Sequence, residues 1–184
     1  MPEVYPNSLV HIRELFEYDR TVRHRFLEVL ARLPWAELIK NREASYHSLR
    51  NIFLHCLAVE EHLVQRFARG QRDPWPRIDF EAFEEWSMIK AWVQRVEAET
   101  DAFLTQLSEE ALDHIVGFRR SCGEILPLTV EDVLLQCLTE QLYHRGELIA
   151  LLWQMDVEPP PMQWFLNLPA ARAARLARER AGDV

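Results

Sequence analysis

Two side chains that can bind a metal ion stand in a part of the sequence that is otherwise apolar. Glu140 and His144 lie four residues apart inside the apolar run 130–155. At that spacing both occupy one face of a helix, with Cα atoms about 6 Å apart along its axis. A carboxylate on a face turned toward a core needs a partner, because burying it alone costs several kcal/mol. A shared divalent ion would supply one, and a direct Glu140–His144 hydrogen bond is the alternative.

The helix that carries this pair is predicted from its spacing. One face repeats at steps of three and four residues through Val133, Cys137, Glu140, His144, Leu148, Leu151 and Met155, which is typical of a helix turned toward a core. Thr129 to Asp132 has the pattern of a capping box that starts the helix. A second apolar stripe, formed by Leu134, Leu138, Leu142, Ile149 and Leu152, predicts contact with a second copy of the chain, and hence a homodimer.

Two further polar side chains occupy predicted helices at positions that face inward. His55 lies at the margin of the apolar stripe of a helix over residues 48–68, from where it can reach a space between helices or point to water. Asp19 lies within the apolar stripe of a helix over residues 8–33. A solvated acid near a helix bend is the alternative interpretation of Asp19.

The whole pattern predicts an all-α fold, a four-helix bundle over residues 1–166. Its helices span about 8–33, 48–68, 80–107 and 130–157, with a breaker-rich loop at 70–76 before the third. The helical period is lost over residues 113–128, where a turn at 121–123 indicates a short β-hairpin or irregular excursion before the fourth helix. The Ala/Arg-rich tail 167–184 is either a short amphipathic helix that packs against a partner subunit or a solvated end.

Composition narrows the functional classes. The chain has 184 residues and a formal net charge of −8, which disfavours a nucleic-acid partner because no basic face offsets phosphate repulsion. Its three cysteines, Cys56, Cys122 and Cys137, lack CxxC spacing, and we interpret Cys56 and Cys137 as core residues. We expect no signal peptide and no membrane span, and therefore a soluble, cytoplasmic protein.

Four segments together resemble the DinB-like family of four-helix bundles, which includes thiol-dependent S-transferase relatives and mycothiol-dependent maleylpyruvate isomerases. The segments are LFEYD at 15–19, SLRNIFLH at 48–55, YHRGEL at 143–148 and MDVEPP at 155–160. Each one alone is a weak signal, whereas their order and spacing across residues 8–161 are moderately specific.

The resemblance implies a divalent metal held by three residues. Members of the family commonly use one histidine from the second helix and two, four residues apart, from the fourth. His55 and His144 match two of these positions, and Glu140 stands at the third, where the family usually has histidine. Two nitrogens and one carboxylate suit Zn, Ni, Mn or Fe(II). Asp19 and Glu147 are then candidates to hydrogen-bond the imidazoles. The replacement by Glu140 is also compatible with loss of the metal.

The resemblance further implies an enzyme that acts on a small-molecule substrate through a low-molecular-weight thiol, in a transfer or an isomerisation. A metal ion would help to deprotonate this thiol. Two alternatives remain open at this point. A metal-dependent hydrolase could use the same three residues. A non-catalytic dimeric helical module could use Glu140 and His144 as a structural pair without any metal.

Overall fold

Four long helices and a small β-hairpin make up most of the fold. A computed structural model describes residues 8–71, 77–119 and 122–182. The helices are α1 (Ser8–Leu30), α2 (Trp35–Ile39), α3 (Leu49–Glu60), α4 (Trp86–Gln106), α5 (Val130–Trp153) and α6 (Ala170–Gly182), and the strands are β1 (Ile115–Arg119) and β2 (Ile125–Thr129). Short 3₁₀ turns cover Phe80–Ala82, Glu110–Asp113 and Trp164–Leu166. The prediction of an all-α bundle with a hairpin before the last long helix is confirmed.

The direction of the long helices follows from two apolar clusters in the core. One cluster contains the C-terminal half of α1, most of α3, the N-terminal half of α4 and the end of α5. The other contains the start of α1, the continuation of α3, the end of α4 and the start of α5. Helices α1 and α5 therefore run in one direction, and α3 and α4 run in the opposite direction. On α5 the buried polar residues Gln141, His144 and Arg145 fall between its contributions to the two clusters.

Helix α3 changes its hydrogen-bonding pattern near its end. It continues without interruption as a π-helix, Glu61–Phe67, which Ala68 closes by donating its N–H to the carbonyl of Leu63 at 2.8 Å. The wider turn of a π-helix rotates the following side chains relative to those of α3. The prediction of a single helix over 48–68 thus covers two kinds of helix.

The hairpin fixes the start of α5. Strands β1 and β2 are antiparallel, with Ile115 opposite Thr129. Thr129 ends β2 and also caps α5: its Oγ1 accepts from the backbone N–H of Asp132 at 3.0 Å, while Asp132 Oδ2 accepts from the N–H of Thr129 at 2.8 Å. The predicted capping box is therefore present, and it couples the register of the hairpin to the position of α5.

Some predicted helix limits are wrong by several residues. The first helix ends at Leu30 rather than 33, and Pro34 is followed by the separate helix α2. The third begins at Trp86 rather than 80, because Asp79 caps a 3₁₀ turn and Glu85 is extended, with φ −150° and ψ 160°. Residues 72–76 of the breaker-rich loop and residue 121 of the hairpin turn lie outside the described residues.

The C-terminal tail forms the helix α6, whose start contacts α1 of the same chain. The N–H of Ala170 donates to Glu17 Oε1 at 2.7 Å, and Arg172 pairs with Glu14 at 2.6 Å, so the start of α6 is fixed to α1. Arg172 also lies 5.8 Å from the ring of Trp164. These contacts attach the first turn of α6 to α1 and to Trp164.

Most of the second apolar stripe of α5 packs into the core of the same chain. Leu134, Leu138 and Leu152 are buried in the core, and Leu142 is exposed. The homodimer stays a prediction.

Among the described residues, the helices lack the combination of length and apolarity that a bilayer crossing requires.

Candidate metal centre

Three potential metal ligands from two helices converge on one point. His55 comes from α3, and Glu140 and His144 come from successive turns of α5. Each offers one nitrogen or oxygen atom, and these three atoms all lie within 4.8 Å of one another. Helices α3 and α5 pack closely along their length, which brings His55 opposite the other two residues. The structure therefore joins the three residues that the sequence and the family resemblance selected.

The ring of His144 is held by a carboxylate on its own helix. His144 Nδ1 lies 2.6 Å from Glu147 Oε2, and the same oxygen accepts a hydrogen bond from Ser45 Oγ at 2.7 Å. Partial burial raises the pKa of Glu147, but the hydrogen bonds from Ser45 and His144 outweigh this effect, so its pKa lies below the ordinary value. Glu147 is therefore a carboxylate acceptor, and His144 Nδ1 carries the donated proton.

That assignment leaves the other ring nitrogen facing a carboxylate. His144 Nε2 lies 3.4 Å from Glu140 Oε2, which is longer than a normal N–H···O hydrogen bond. With the proton on Nδ1, two lone pairs face each other across this gap. A cation placed between them would remove the repulsion, either a metal ion or a second proton on the ring. The other oxygen of Glu140, Oε1, accepts from Gln136 Nε2 at 2.9 Å, which fixes the carboxylate.

His55 is held as a neutral ring between two aromatic neighbours. Its ring stacks on Tyr46 with centroids 3.8 Å apart and lies edge-on to the His144 ring at 4.5 Å. Burial, and then the proximity of His144, lower the pKa of His55 to about 4. The ring is therefore uncharged at neutral pH and has an unprotonated nitrogen, which is the form that coordinates metals.

The loop before α3 supplies two of these contacts. Glu43 and His47 have positive φ angles of 57° and 69°, and the N–H of Arg42 donates to the carbonyl of His47 at 2.6 Å, which closes a compact turn. This turn directs Ser45 toward Glu147 and Tyr46 onto His55. Neither Ser45 nor Tyr46 was selected from the sequence. Left-handed backbone at non-glycine residues has no periodic signal that would have shown the turn.

Asp19 belongs to a buried ion-pair network. Its Oδ2 pairs with Arg23 at 2.9 Å and its Oδ1 pairs with Arg145 at 2.8 Å. Arg23 also pairs with Glu60, which accepts a hydrogen bond from Thr100 at 2.7 Å. The interpretation of Asp19 as a solvated acid is wrong, because only 3% of the residue is exposed. The carboxylate oxygens of Asp19 pair with the two arginines, whereas Glu147 Oε2 lies 2.6 Å from His144 Nδ1. A role of either acid in holding a metal-bound imidazole stays a prediction.

The cysteines provide no reactive thiol at this site. Cys56 and Cys137 are free and buried, as predicted, and Cys122 is free and exposed. Burial raises the pKa of Cys56 to about 12 and also raises the pKa of Cys137 far above its ordinary value. Neither buried thiol forms a thiolate at neutral pH, so neither is a nucleophile.

Comparisons with known proteins agree with this architecture. The family model described as the DinB family matches residues 6–178. The chain belongs to the DinB family. A crystal structure of a DinB-like protein from Bacillus cereus ATCC 10987 has a TM-score of 0.60 and 17% identity, covering 82% of this chain and 94% of that chain. At this identity the similarity concerns the DinB fold. No curated protein matches the chain significantly.

The residues of this DinB chain suit a divalent ion. Bonds of about 2.0–2.2 Å place ligand atoms about 3–4 Å apart around one ion. The 3.4 Å separation between His144 Nε2 and Glu140 Oε2 lies in this range, and the three ligand atoms of the set lie within 4.8 Å of one another. Two neutral imidazoles with one carboxylate are chemically appropriate, and Glu147 supplies the carboxylate–histidine contact that metal-binding histidines usually have.

Proposed function

We propose that this DinB protein binds one divalent metal ion through His55, Glu140 and His144. One observation carries the proposal: ligand atoms from α3 and α5 converge within 4.8 Å, with His144 Nε2 facing the Glu140 carboxylate at 3.4 Å. The proton on Nδ1 leaves the Nε2 lone pair free for coordination. The ligand set suits Zn, Ni, Mn or Fe(II). Because a carboxylate oxygen is a harder ligand than an imidazole nitrogen, this set favours harder ions more than three imidazoles would.

The site has the features of a catalytic rather than a structural metal centre. Three protein ligands leave one or more coordination positions for other molecules. His144 is nearly buried, whereas 34% of the Glu140 side chain is exposed, so the open side of the site lies toward solvent near Glu140. In this proposal a small molecule approaches the ion from the Glu140 side.

We further propose that the protein is a thiol-dependent transferase or isomerase. When bound, the ion would stabilise the thiolate of a small thiol and so supply a nucleophile at neutral pH. The buried cysteines cannot do this, so the thiol comes from solution. In a transfer reaction a sulfur–carbon bond forms to an electrophilic substrate, the bond to the leaving group breaks, and the thiol proton departs with that group.

The surrounding residues have positioning roles in this proposal. Glu147, fixed by Ser45, keeps the proton of His144 on Nδ1. Tyr46 covers one face of His55 and approaches His144 at 5.4 Å, which excludes water from that side of both rings. Gln136 orients Glu140. Together they hold the three ligand atoms before an ion arrives.

Elemental analysis of purified protein tests the metal. After divalent ions are supplied and excess is removed, we expect about one ion per chain for the unaltered protein and none for His144→Ala. His11→Ala removes an exposed histidine on α1 and is the matched control, with metal content unchanged. Absence of stoichiometric metal in the unaltered protein would refute the proposal.

A structural ion pair is the second candidate, and the short contact between His144 and Glu147 favours it equally. A doubly protonated His144 between Glu140 and Glu147 would satisfy both carboxylates without metal. In that case His144→Ala lowers stability by about 1–3 kcal/mol or more by stranding the carboxylates, and metal content is zero throughout.

A screen of small thiols with electrophiles then tests catalysis; turnover that is metal-dependent but needs no thiol would identify a hydrolase instead.

A further inference from the structure

A small internal cavity lies between α1, α3 and α5, each of which contributes to its lining. It offers about 10 Å³ to the centre of a water molecule, which is close to the smallest space that holds one water. Three of the lining side chains are apolar: Phe26, Phe53 and Leu148. Three others are polar and at most 3% exposed: Arg23, Gln141 and Arg145. The cavity therefore differs from a wholly apolar one, which would stay dry.

Both arginines of the lining have a guanidinium nitrogen that lacks a hydrogen-bond partner within the described chain. Arg23 donates through Nη1 and Nη2 to three carboxylates, and its Nε is the atom left without a partner there. Arg145 Nη2 donates to Oδ1 and to the backbone carbonyl of Asp19, at 2.8 and 3.0 Å, and its Nη1 is the atom left. Because a buried N–H without an acceptor loses its hydration and gains nothing in return, both groups require an acceptor.

Gln141 supplies a matching acceptor. Its Nε2 donates to the backbone carbonyl of Cys56 at 2.8 Å, and the planar amide therefore directs Oε1 away from that carbonyl. The Oε1 atom is buried and accepts no hydrogen bond from the residues that the structure describes. The lining thus presents two donors and one acceptor. A molecule that accepts twice and donates once is their complement.

The charges beside the cavity favour a neutral ligand. The two arginines are paired with three acids, which are Asp19, Glu60 and Glu97. An anion in the cavity would add to this excess of carboxylates, and a cation would face the two guanidinium groups. Burying a further charge is costly unless it is paired, and each guanidinium already has a carboxylate partner. A small uncharged molecule that accepts and donates hydrogen bonds is therefore favoured.

We propose that one water molecule binds in this cavity as a permanent part of the fold. Its oxygen accepts from Arg23 Nε and Arg145 Nη1, and one of its hydrogens is donated to Gln141 Oε1. About three hydrogen bonds are usual for a buried water, and such waters are costly to remove. The water joins α1 to α5, and Gln141 extends the connection to the Cys56 carbonyl on α3. Cys56 directly follows His55, so these hydrogen bonds also fix the backbone beside one proposed metal ligand.

Proton NMR of the unaltered, ¹⁵N-labelled protein tests the site directly. We expect the Nε–H proton of Arg23 and the side-chain amide protons of Gln141 to give cross peaks to water. These peaks should have opposite signs in NOESY and ROESY spectra, because a long-lived bound water relaxes them by dipolar coupling, whereas chemical exchange gives equal signs. The side-chain amide of Gln65, which donates to the Val96 carbonyl outside this cavity, is the matched control and should give no such peaks. Their absence from Arg23 and Gln141 would overturn the proposal.

Two variants separate the water from a nearby hydroxyl group. Gln141→Met removes the acceptor at nearly the same side-chain length and should abolish the water peak of Arg23. Thr100→Val removes the hydroxyl that donates to Glu60, an acid paired with Arg23, and should leave that peak unchanged. A peak of full intensity in Gln141→Met, or its loss in Thr100→Val, would overturn the proposal. If Gln141→Met does not fold, the spectra of the unaltered protein and of Thr100→Val still decide.

An anion titration and removal of the metal give two further comparisons. Sodium bromide and sodium sulfate, at equal ionic strength, should shift the Nε–H resonance of Arg23 equally. A saturable shift with bromide alone would show an anion in the cavity and overturn the assignment of water. The water peaks should persist in His144→Ala and after treatment with a chelator, because the site uses none of the three proposed metal ligands. Loss of the peaks together with the metal would overturn a water site that is built into the fold.

Discussion

His144 Nδ1 lies 2.6 Å from Oε2 of Glu147, one turn further along α5. This contact determines which nitrogen of the imidazole is available to a metal. Glu147→Gln keeps the size of the side chain but removes the charge that holds the proton on Nδ1. We expect metal affinity to fall about 10–100-fold, as measured by titrating Zn²⁺ against a competing chelator. Glu28→Gln, an exposed change on α1, is the control, and equal affinity in both variants would contradict the role of Glu147.

Glu140 gives this site its oxygen ligand, and its replacement should change which metal is preferred. Glu140→His restores the three imidazoles that the family resemblance implies. Nitrogen ligands favour Ni and Zn, whereas carboxylate oxygen favours Mn. We therefore expect the ratio of Zn to Mn affinity to rise in the variant, measured by competition between the two ions. An unchanged ratio would mean that Glu140 does not coordinate the ion.

Acid should destabilise the metal-free protein through His55. The pKa of its ring is lowered from 6.5 to about 4 by burial and by His144. Between these values the unfolded chain binds a proton that the folded chain does not, so stability falls as pH decreases from 6.5 toward 4. The loss from this group reaches about 3 kcal/mol below pH 4. Urea unfolding across this range measures it, and His55→Asn should flatten that part of the pH profile.

Asp19 should matter for stability rather than for metal. Asp19→Asn removes a buried charge that pairs with Arg23 and Arg145. Breaking a buried pair from one side costs about 3–5 kcal/mol, whereas Asp101→Asn, in an exposed pair with Arg20, should cost less than about 1 kcal/mol. Urea unfolding gives both values. Loss of metal from folded Asp19→Asn would show instead that Asp19 supports an imidazole.

The three cysteines should differ sharply in reactivity. Cys122 is exposed, while Cys56 and Cys137 are buried with raised pKa values. A thiol reagent such as dithiobis(nitrobenzoate) should therefore label about one thiol per folded chain and all three after unfolding. Cys122→Ser should abolish labelling of the folded protein. Rapid labelling of Cys56 or Cys137 in that variant would show that a buried cysteine is reactive enough to act as a nucleophile.

The pair on α5 was predictable because it depends on one helix alone. Glu140 and His144 are polar residues at apolar positions of a strict repeat, so the spacing fixes their common face. His55 required the family resemblance, since periodicity does not tell which helix packs opposite. Ser45 and Tyr46 were not predictable, because their positions depend on left-handed backbone at Glu43 and His47. The sequence therefore predicts positions within one helix better than positions that depend on helix packing or loop conformation.

Asp19 shows the limit of interpreting an acid in an apolar stripe. Its position required a buried partner or exposure to water, and the sequence does not say which partner is near. The structure supplies Arg23 four residues later on the same helix and Arg145 on α5. Tertiary packing, which brings α5 against α1, decided the outcome. The helical period identified the unusual residue without identifying its interaction.

The linked arginines and acids of α1, α3 and α5 restrict how this sequence can evolve. Asp19, Arg23, Glu60 and Arg145 form the buried part of this network, and Glu97 adds a further acid beside Arg23. Losing one buried member therefore leaves an ion in the interior without its partner. A lineage that exchanges this network for apolar residues must change two positions together or survive a poorly folded intermediate. Related chains should therefore retain the set whole or lack it whole, with few intermediate forms.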